Sequence, residues 1–594
     1  IWVSPSVMAR SGITSADIAR TFREQSKMVD AGGINAGVNR IRVESTGNFY
    51  ALEDIRNLTI VSRTGEHFRL GDIARVEESY QSPASNLMRI DGNPAVGIAI
   101  STVPTGNVVD MAEVVKERVD WFSGNMPSGY ELVSIYDQGY ESAVANDGFI
   151  LNLIISVVTV IAILLFFIGF KNGFLVGSGL VFSIFATLIV MMANGIALQR
   201  MSLAAIIIAM GMLVDNAIVI TDGIMVDMKR GIPKPDALVN ITKKTAWALL
   251  GATTIGILTF LPIYMSPDTT GEYVRDLFIV LAVSLWLSWI LALAYVPIQA
   301  DRAFKPKVVE PGEPDNPFNG RIYRQYQRLL RFAIHYRWIW IVATVILLVF
   351  SVYGYRFIKQ GFFPDLSYNQ LYIEYKMPFG TNPETVEKDL ASMEKYLMSR
   401  PEITAVTTSL GGTPSRYNLV RTVAEPALSY GELIVDFTSP AALKEHLNAL
   451  QAYLSSHYPQ AYVRMKQYNL MYMDFPIQFM ISGPDPAVLK SLCAQVEGIM
   501  RADSSVMLVT NNWGPETPAM RVDYQQQTAR DVNLSREDVG LAVLAATDGL
   551  PIGSYYEGEH PLPIYLKSVN DQGQRPGQIG NVPVWSMVPS TNGI

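Results

Sequence analysis

Apolar positions are spread unevenly along the chain. Between about residues 149 and 357 they run in long windows, whereas the two flanks mix apolar and polar positions at the short periods of ordinary strands and helices. Six windows are long and apolar enough to cross a bilayer, roughly 149–170, 173–194, 201–221, 245–265, 277–299 and 338–357. All but the third are free of charge through their centres. One set of connections carries Lys171, Lys229, Arg230, Lys234, Lys243 and Lys244, with eight further Lys or Arg from Arg302 to Arg337. The other carries only Arg200 and Arg275. That bias of fourteen to two predicts a cytoplasmic basic side, and an even number of spans then puts both flanks, 1–148 and 358–594, on the outer side. Between the fifth and sixth windows, "NGRIYRQYQRLLRFAIHYRW" sets Ile322, Tyr326, Leu329, Leu330 and Ala333 on one helical face and Arg321, Arg324, Arg328 and Arg331 on another. This is the pattern of an amphipathic helix on the inner leaflet; the plainer alternative is a solvated linker helix.

In the second flank, "NQLYIEYKMP" predicts a strand and "NPETVEKDLASMEKYLMSR" a helix capped by Asn382, with Pro383 and Glu384 in its first turn. Strands at "ITAVTTSLGG" and "ALSYGELIVDFTS", a helix at "PAALKEHLNALQAYLSSHY" and a strand at "AYVRMKQY" complete a β-α-β-β-α-β order, the split βαβ or ferredoxin-like arrangement. A second such unit is expected to begin with a strand at "FPIQFMISGPD", a helix at "PAVLKSLCAQVEGIMRA" and a strand at "SVMLVTNNW". The ends of the chain also echo one another. "MARSGITSADIARTF" and "TARDVNLSREDVGLA" share Ala-Arg, a Thr or Ser cap, and Asp17-Ile18 or Asp538-Val539 opening a helix, the mark of an internal repeat.

Composition narrows the function classes. At 594 residues the chain exceeds one ordinary domain, and a net charge of -7 argues against a nucleic-acid binder. The single cysteine, Cys493, cannot close an internal disulfide, no CxxC or HxxxH spacing suggests a metal, and the five histidines are scattered. There is no GxxxxGK[ST] loop, no cofactor motif and no recurring nucleophile, base and orienter, so an enzyme is not expected. The chain starts at Ile1 with nothing like a signal peptide and is read as part of a longer protein.

The candidate chemistry lies in the third window, "AIIIAMGMLVDNAIVITDG". An aspartate at mid-bilayer costs about 2.5–3.5 kcal/mol on insertion scales, so Asp215 is expected to face protein and to have a role. A carboxyl open alternately to each side could load and release protons, because a charge crossing 100 mV gains about 2.3 kcal/mol. The alternative is a structural carboxylate that caps or pairs without changing protonation. Asp222 follows seven residues on, two turns along the same face.

These residues resemble the resistance-nodulation-division (RND) exporters of Gram-negative bacteria, and within them the hydrophobe and amphiphile, or multidrug, branch. "MSLAAIIIAMGMLVDNAIVITDG" is similar to that family's fourth transmembrane helix. "GNPAVGIAISTVPTGNVVDMAEVVKERVDWFSGNMPSGYELVSIYDQ" is similar to its outer segment before the second helix. "FLPIYM" with "GEYVRDLFIVLAVSLWLSWILALAYVP" resembles the fifth and sixth helices, and "GFFPDLSYNQLYIEYKMPFGTNPETVEKDL" the passage out of the seventh. The resemblance implies an α-helical polytopic membrane protein with six spans here and α+β, ferredoxin-like periplasmic porter and docking subdomains. It implies a docking subdomain at 1–92, the second half of a porter subdomain at 93–148, five membrane helices in 149–300, a cytoplasmic linker and interfacial helix at 301–337 and a further span at 338–357. A porter subdomain at 358–470, half of another at 471–518 and a partial second docking subdomain at 519–594 would follow.

The resemblance also implies an inner-membrane homotrimer that joins a periplasmic adaptor (membrane fusion protein) and an outer-membrane channel and exchanges protons for small amphiphilic substrates. No cofactor, bound metal or nucleic acid is implied. The family commonly carries two adjacent aspartates that meet a lysine on the tenth helix; here the first is kept as Asp215 and the second is Asn216. Asp222 matches the place of a family glutamate, as interfacial support or as part of the relay. Tyr468, Met471, Tyr472, Met473, Phe475 and Phe479 supply adaptable apolar side chains for a substrate path, or alternate as ordinary strand core. Where multidrug members have a phenylalanine-rich loop, this chain has Leu410, Gly411, Gly412 and Tyr417, and its docking arm "AGGINAGVNRIRVES" is shorter. Two rival readings stand beside this one: a Cu(I) or Ag(I) exporter using Met465, Met471, Met473 and Met480 as a thioether relay, and a membrane scaffold that lost transport when Asn216 appeared.

Overall fold

The structure is a computed structural model that describes residues 1–26, 30–44, 47–62, 65–82, 84–104, 106–304, 321–358, 364–415, 417–470, 475–575 and 577–584. The middle of the chain is helical: α1 Val108–Ser123, α2 Gln138–Ile168, α3 Phe170–Ala193, α4 Arg200–Lys229, α5 Lys234–Thr259, α6 Leu261–Met265, α7 Thr269–Ala303, α8 Arg321–His335 and α9 Arg337–Tyr355. Five of these, α2, α3, α4, α7 and α9, are long and apolar enough to cross a membrane. The predicted window 245–265 differs. It falls across α5 and α6, where the apolar part of α5 starts only after Lys243 and Lys244 and the helix ends at Thr259, with Pro262 in the first turn of the next. Proline withholds an N–H and favours a first turn over a helix interior, which accounts for the break.

Helix α4 is the centre of the bundle. Ala205, Ala209 and Ala217 let its neighbours approach closely, and Leu213, Ile220 and Ile224 pack in one core with Leu180 of α3 and Val280, Leu281 and Leu285 of α7. Polar clips add direction: the Ser288 hydroxyl of α7 donates to the Leu213 carbonyl at 2.8 Å, and the Trp289 indole donates to the Ala246 carbonyl of α5 at 3.1 Å. Helix α9 stands apart, with no residue buried in this chain.

The two flanks fold into two α+β bodies. In the first, strands β1 Leu87–Ile90, β2 Asn93–Pro94, β3 Gln370–Lys376, β4 Ile403–Leu410, β5 Tyr430–Phe437 and β6 Tyr462–Gln467 form one sheet in the order β6-β3-β5-β4-β1-β2. Every pairing in it is antiparallel. Helices α10 Pro383–Met398 and α11 Pro440–His457 cover one face, burying Val386, Leu390, Leu443 and Leu454 against Leu371, Ile373, Leu433 and Val435. Each helix starts with a side-chain cap followed by proline, Asn382 for α10 and Ser439 for α11. Beyond this unit, helix α12 Pro486–Ala502 forms under an Asp485 cap, but the segments 475–485 and 505–513, expected as strands, are unpaired coil. Alternation makes a strand only where a neighbouring backbone supplies hydrogen bonds, and these segments are exposed, Met480 at 94%.

The second body unites the two ends of the chain. Its sheet runs in the order Leu550–Glu557, His560–Ser568, Trp2–Val3, Ala74–Arg75, with Trp2 parallel to Lys567. Both copies of the repeat adopt the same turn. Gly12 (φ 62°) and Asn533 (φ 59°) reverse the chain in the left-handed region, and Thr14 with Asp17, or Ser535 with Asp538, form reciprocal capping boxes at the next helix. A hairpin of Asp30–Ala36 and Asn39–Glu44 extends from this body with Ile34, Val38 and Ile41 exposed.

Candidate functional site

Asp215 and Asn216 are neighbours on α4 that face different ways, as two successive helical positions about 100° apart must. Asn216 points into the bundle, 5% exposed, and its amide donates to the Thr253 hydroxyl of α5 at 3.4 Å. Asp215 lies on a separate, open stripe with Ile208, Gly211, Val219 and Asp222, all exposed in this chain. The structure therefore brings Asp215 and Asp222 onto one stripe, about 10 Å apart along the axis, and sets Asn216 apart from both. Asn216 acts here as a bolt between α4 and α5. The two carboxyls occupy the stripe through which α4 can meet another protein surface or water.

Among the described residues, those proposed for a substrate path are not gathered in one place. Met471, Tyr472 and Met473 lie outside the described residues. Phe475 is half-buried, its ring 5.4 Å from the Arg464 guanidinium and 6.3 Å from the Tyr462 ring. Phe479 is 67% exposed on unpaired coil. Tyr468 is fully enclosed beside Tyr372 and Tyr417. For the methionine relay, Met465 is packed in the core beneath α10 and α11 while Met480 stands in the open, so these two thioethers do not converge in a buried site.

What sequence reasoning missed is a buried polar cluster on the other face of the first sheet. Glu432 of β5 pairs directly with Glu374 of β3, and Glu374 pairs with Arg464 of β6. Two like charges facing each other across strands repel, so something must answer them. The answer comes from the long connection 411–429, which straps this face and delivers Arg421. Its guanidinium lies 2.6 Å from Glu432 and 3.3 Å from Glu374, is fully buried, and sits 4.2 Å from the Tyr372 ring centroid. Arg464 closes the row at 2.7 Å from Glu374. Glu432 also accepts hydrogen bonds from Thr413 (2.8 Å), Tyr417 (2.9 Å) and Tyr430 (2.6 Å). Counting Arg421, three strap residues therefore converge on one carboxylate.

The electrostatics follow from this packing. Burial works against the charge of Arg421, but the hydrogen bonds and charge of Glu432 outweigh it and the guanidinium holds its proton more tightly than usual. Burial and then Glu432 push the Tyr417 hydroxyl well above the ordinary tyrosine range, so it stays a neutral donor. The available signal was the pair of glutamates in strands whose same face is otherwise tyrosine and isoleucine: Tyr372 and Glu374 in one, Tyr430, Glu432 and Ile434 in the other. Their alignment depends on strand register, which cannot be read from either strand alone.

The strap face reaches the membrane helices through Gln370 at the start of β3. Its amide N–H groups donate to Asp436 at 2.8 Å and to the Ile135 carbonyl at 3.2 Å, two residues before Asp137 caps α2. Tyr136 beside it is hydrogen-bonded to Tyr368, and burial, helped by Tyr368 and Glu141, pushes its hydroxyl up to about 12. At the same edge of the bundle, Gln199 before α4 donates to Asp276 of α7 at 2.5 Å.

Comparison with known proteins joins these parts. The "Toluene efflux pump membrane transporter TtgB" of Pseudomonas putida is 22% identical over 422 residues, covering 67% of this chain and 39% of that protein. "Multidrug resistance protein MdtC" of Yersinia enterocolitica is 22% identical over 418 residues, covering 69% of this chain and 40% of that protein. The MdtC of Escherichia coli is 21% identical over 417 residues, 70% of this chain and 41% of that protein. The chain thus spans about two fifths of the length of the curated relatives it matches. The family match itself runs through both α+β bodies and the bundle between them, from residue 1 to residue 589, and the chain belongs to the AcrB/AcrD/AcrF family of RND proteins.

Proposed function

We propose that the chain is part of an inner-membrane pump subunit that exports drugs or other amphiphilic compounds, driven by the proton gradient. The observation that carries this reading is the α4 stripe: in a chain of this family, Asp215 and Asp222 lie on the one face of an apolar helix that its own bundle leaves uncovered. Against lipid each carboxylate would be expensive, so the stripe works against protein or a water-filled path, where a carboxyl can exchange protons. Asp215 is the coupling carboxyl in this reading, Asp222 supports it at the interface, and Asn216 fixes α4 to α5 without titrating.

Six crossings fit the same picture. Strand β1 pairs with β4, and Trp2 with Lys567, so both flanks lie on one side of any membrane that the intervening helices cross, and the crossings are even in number. Five helices qualify by length and apolarity, and in this reading the broken pair α5 and α6 together supply the sixth. The lysine-rich connections put the flanks in the periplasm of a Gram-negative cell. There the 1–92 and 519–594 segments serve as docking subdomains and 93–148, 358–470 and 471–518 as porter subdomains. The exposed hairpin arm suits contact between copies in a homotrimer, which works with a periplasmic adaptor and an outer-membrane channel.

The test is accumulation of a dye and a drug in a sensitive Gram-negative host carrying the complete protein, wild type or Asp215→Asn, with expression and assembly matched. Accumulation rising to the empty-vector level in the variant is the expected result. Equal export by both proteins would show that the proton passes elsewhere, and no export by either would remove the transport reading.

A further inference from the structure

The first turns of α7 carry two exposed and opposite charges. Glu272 and Arg275 stand three residues apart, neighbours on one helical face with about 5–6 Å between their Cβ atoms. They do not close on each other. The Arg275 guanidinium turns instead to α6, where it donates to the Tyr264 hydroxyl at 3.2 Å and lies 5.1 Å from the centre of that ring. Tyr264 is held in turn by Phe278 of α7, with ring centroids 5.0 Å apart. The neighbouring Asp276 is engaged by Gln199. Among the described residues, neither Glu272 nor Arg275 makes an ion pair. From Arg275 an apolar stripe runs along α7 at the spacing of a single face, through half-buried Ile279 to exposed Trp286 and Ile290. Trp286 leans edge-on against Trp289, whose indole is tied to α5, so the middle of the stripe is fixed.

Arg275 is also one of two basic residues in the connections that the charge bias assigns to the periplasmic side, where lysine and arginine are otherwise scarce. We propose that Glu272 and Arg275 bind the zwitterionic phosphoethanolamine headgroup of a membrane lipid, Arg275 on the phosphodiester and Glu272 on the primary ammonium, with an acyl chain along Ile279, Trp286 and Ile290. A guanidinium presents a planar fork of donors to phosphate oxygens, and the bond to Tyr264 uses only one of them. The opposite charges of this headgroup are two carbons apart, which suits side chains one helical turn apart. A choline headgroup offers Glu272 no N–H, and a glycerol headgroup offers it no cation, so the pair selects the primary amine. Tyr264 steadies the arginine at the depth where aromatic side chains meet headgroups. This inference rests on the export reading only for α7 crossing the membrane with its first turn at the periplasmic surface.

The experiment is lipid retention by the complete protein, read by native mass spectrometry from detergent after titration with phosphatidylethanolamine, phosphatidylcholine or phosphatidylglycerol of identical acyl chains. Wild type should hold the ethanolamine lipid about 3- to 10-fold more tightly than either of the others. Glu272→Gln should abolish that preference while leaving the phosphate contact, and Arg275→Gln should lower retention of all three lipids. Lipids bound elsewhere contribute equally to each protein and cancel in the comparison. Equal retention of the three lipids by wild type, a preference for the glycerol lipid, or unchanged ethanolamine retention in both variants overturns the proposal. Ready displacement by soluble glycerophosphoethanolamine would overturn the lipid as occupant. Should Arg275→Gln fail to assemble, the headgroup preference of Glu272→Gln still decides. Retention is read without transport, so wild-type protein that holds the lipid but does not export would fail the export reading alone.

Discussion

Single side chains in this protein are set by what lies across from them. Glu374 and Glu432 are tolerable only because Arg421 lies between them, and removing one partner of such a buried set typically costs about 3–5 kcal/mol, since it strands the other charge. Asp436, at the end of the same strand, shows the opposite balance. Burial raises its carboxyl above the ordinary range, and the Gln370 hydrogen bond only partly offsets this. An acid with a raised folded value gives its full contribution below the unfolded value of about 3.9 and loses it as pH climbs through the folded value. Asp436→Asn keeps an acceptor for Gln370 and carries no charge, so it should raise the thermal midpoint at neutral pH, with the gain shrinking towards pH 4. Melting curves of the two proteins across that range would check this; a constant difference would contradict it. Asp215 and Asn216 teach a related lesson. Adjacency in sequence suggests one relay, yet Asp215 turns outward while Asn216 holds Thr253, a division set by helical phase and neighbours rather than by residue type.

At the scale of elements, local signals are legible where the physics is local. The Asn382 cap, the proline-led helices and the two Thr or Ser turns with their Asp partners appear where spacing places them. Elements that need a partner are harder to read. The 475–485 and 505–513 segments have strand patterning but no neighbour, and the strap has no periodicity to show that Arg421 ends beneath it. The span predicted at 245–265 is apolar enough on average but contains a proline that splits it. The strap also depends on a backbone feature invisible to pattern. Gly411 starts it at φ 87°, and a Cβ there would collide with the Ser85 carbonyl oxygen. Gly411→Ala should therefore destabilise the unit by about 1–3 kcal/mol through strain and displaced backbone. It should also raise proteolysis at the strap before global unfolding; unchanged cleavage would argue that the strap adjusts freely.

Across the whole molecule, distant stretches of chain complete one another. Ile13, Ile18 and Phe22 near the start share a core with Ala545, Ile552 and Leu566 near the end, and the Trp2 strand lies between the Ser568 and Ala74 strands. Deleting 526–584 from the full-length protein should leave 1–82 without one side of its core. Limited proteolysis should then cut that region rapidly while the β3 to β6 unit, whose core is separate, stays resistant. Similar resistance in both regions would show that the first stretch folds alone. The shared sheet also sets a schedule. Trp2 cannot meet Lys567 until the 564 residues between them have been made. At about 5–20 residues per second, synthesis alone keeps the Trp2 edge waiting for about 30 s to 2 min. A nascent chain with an open strand edge for that long is a natural client for a chaperone, and maturation of this body should lag behind that of the sheet built from β3 to β6.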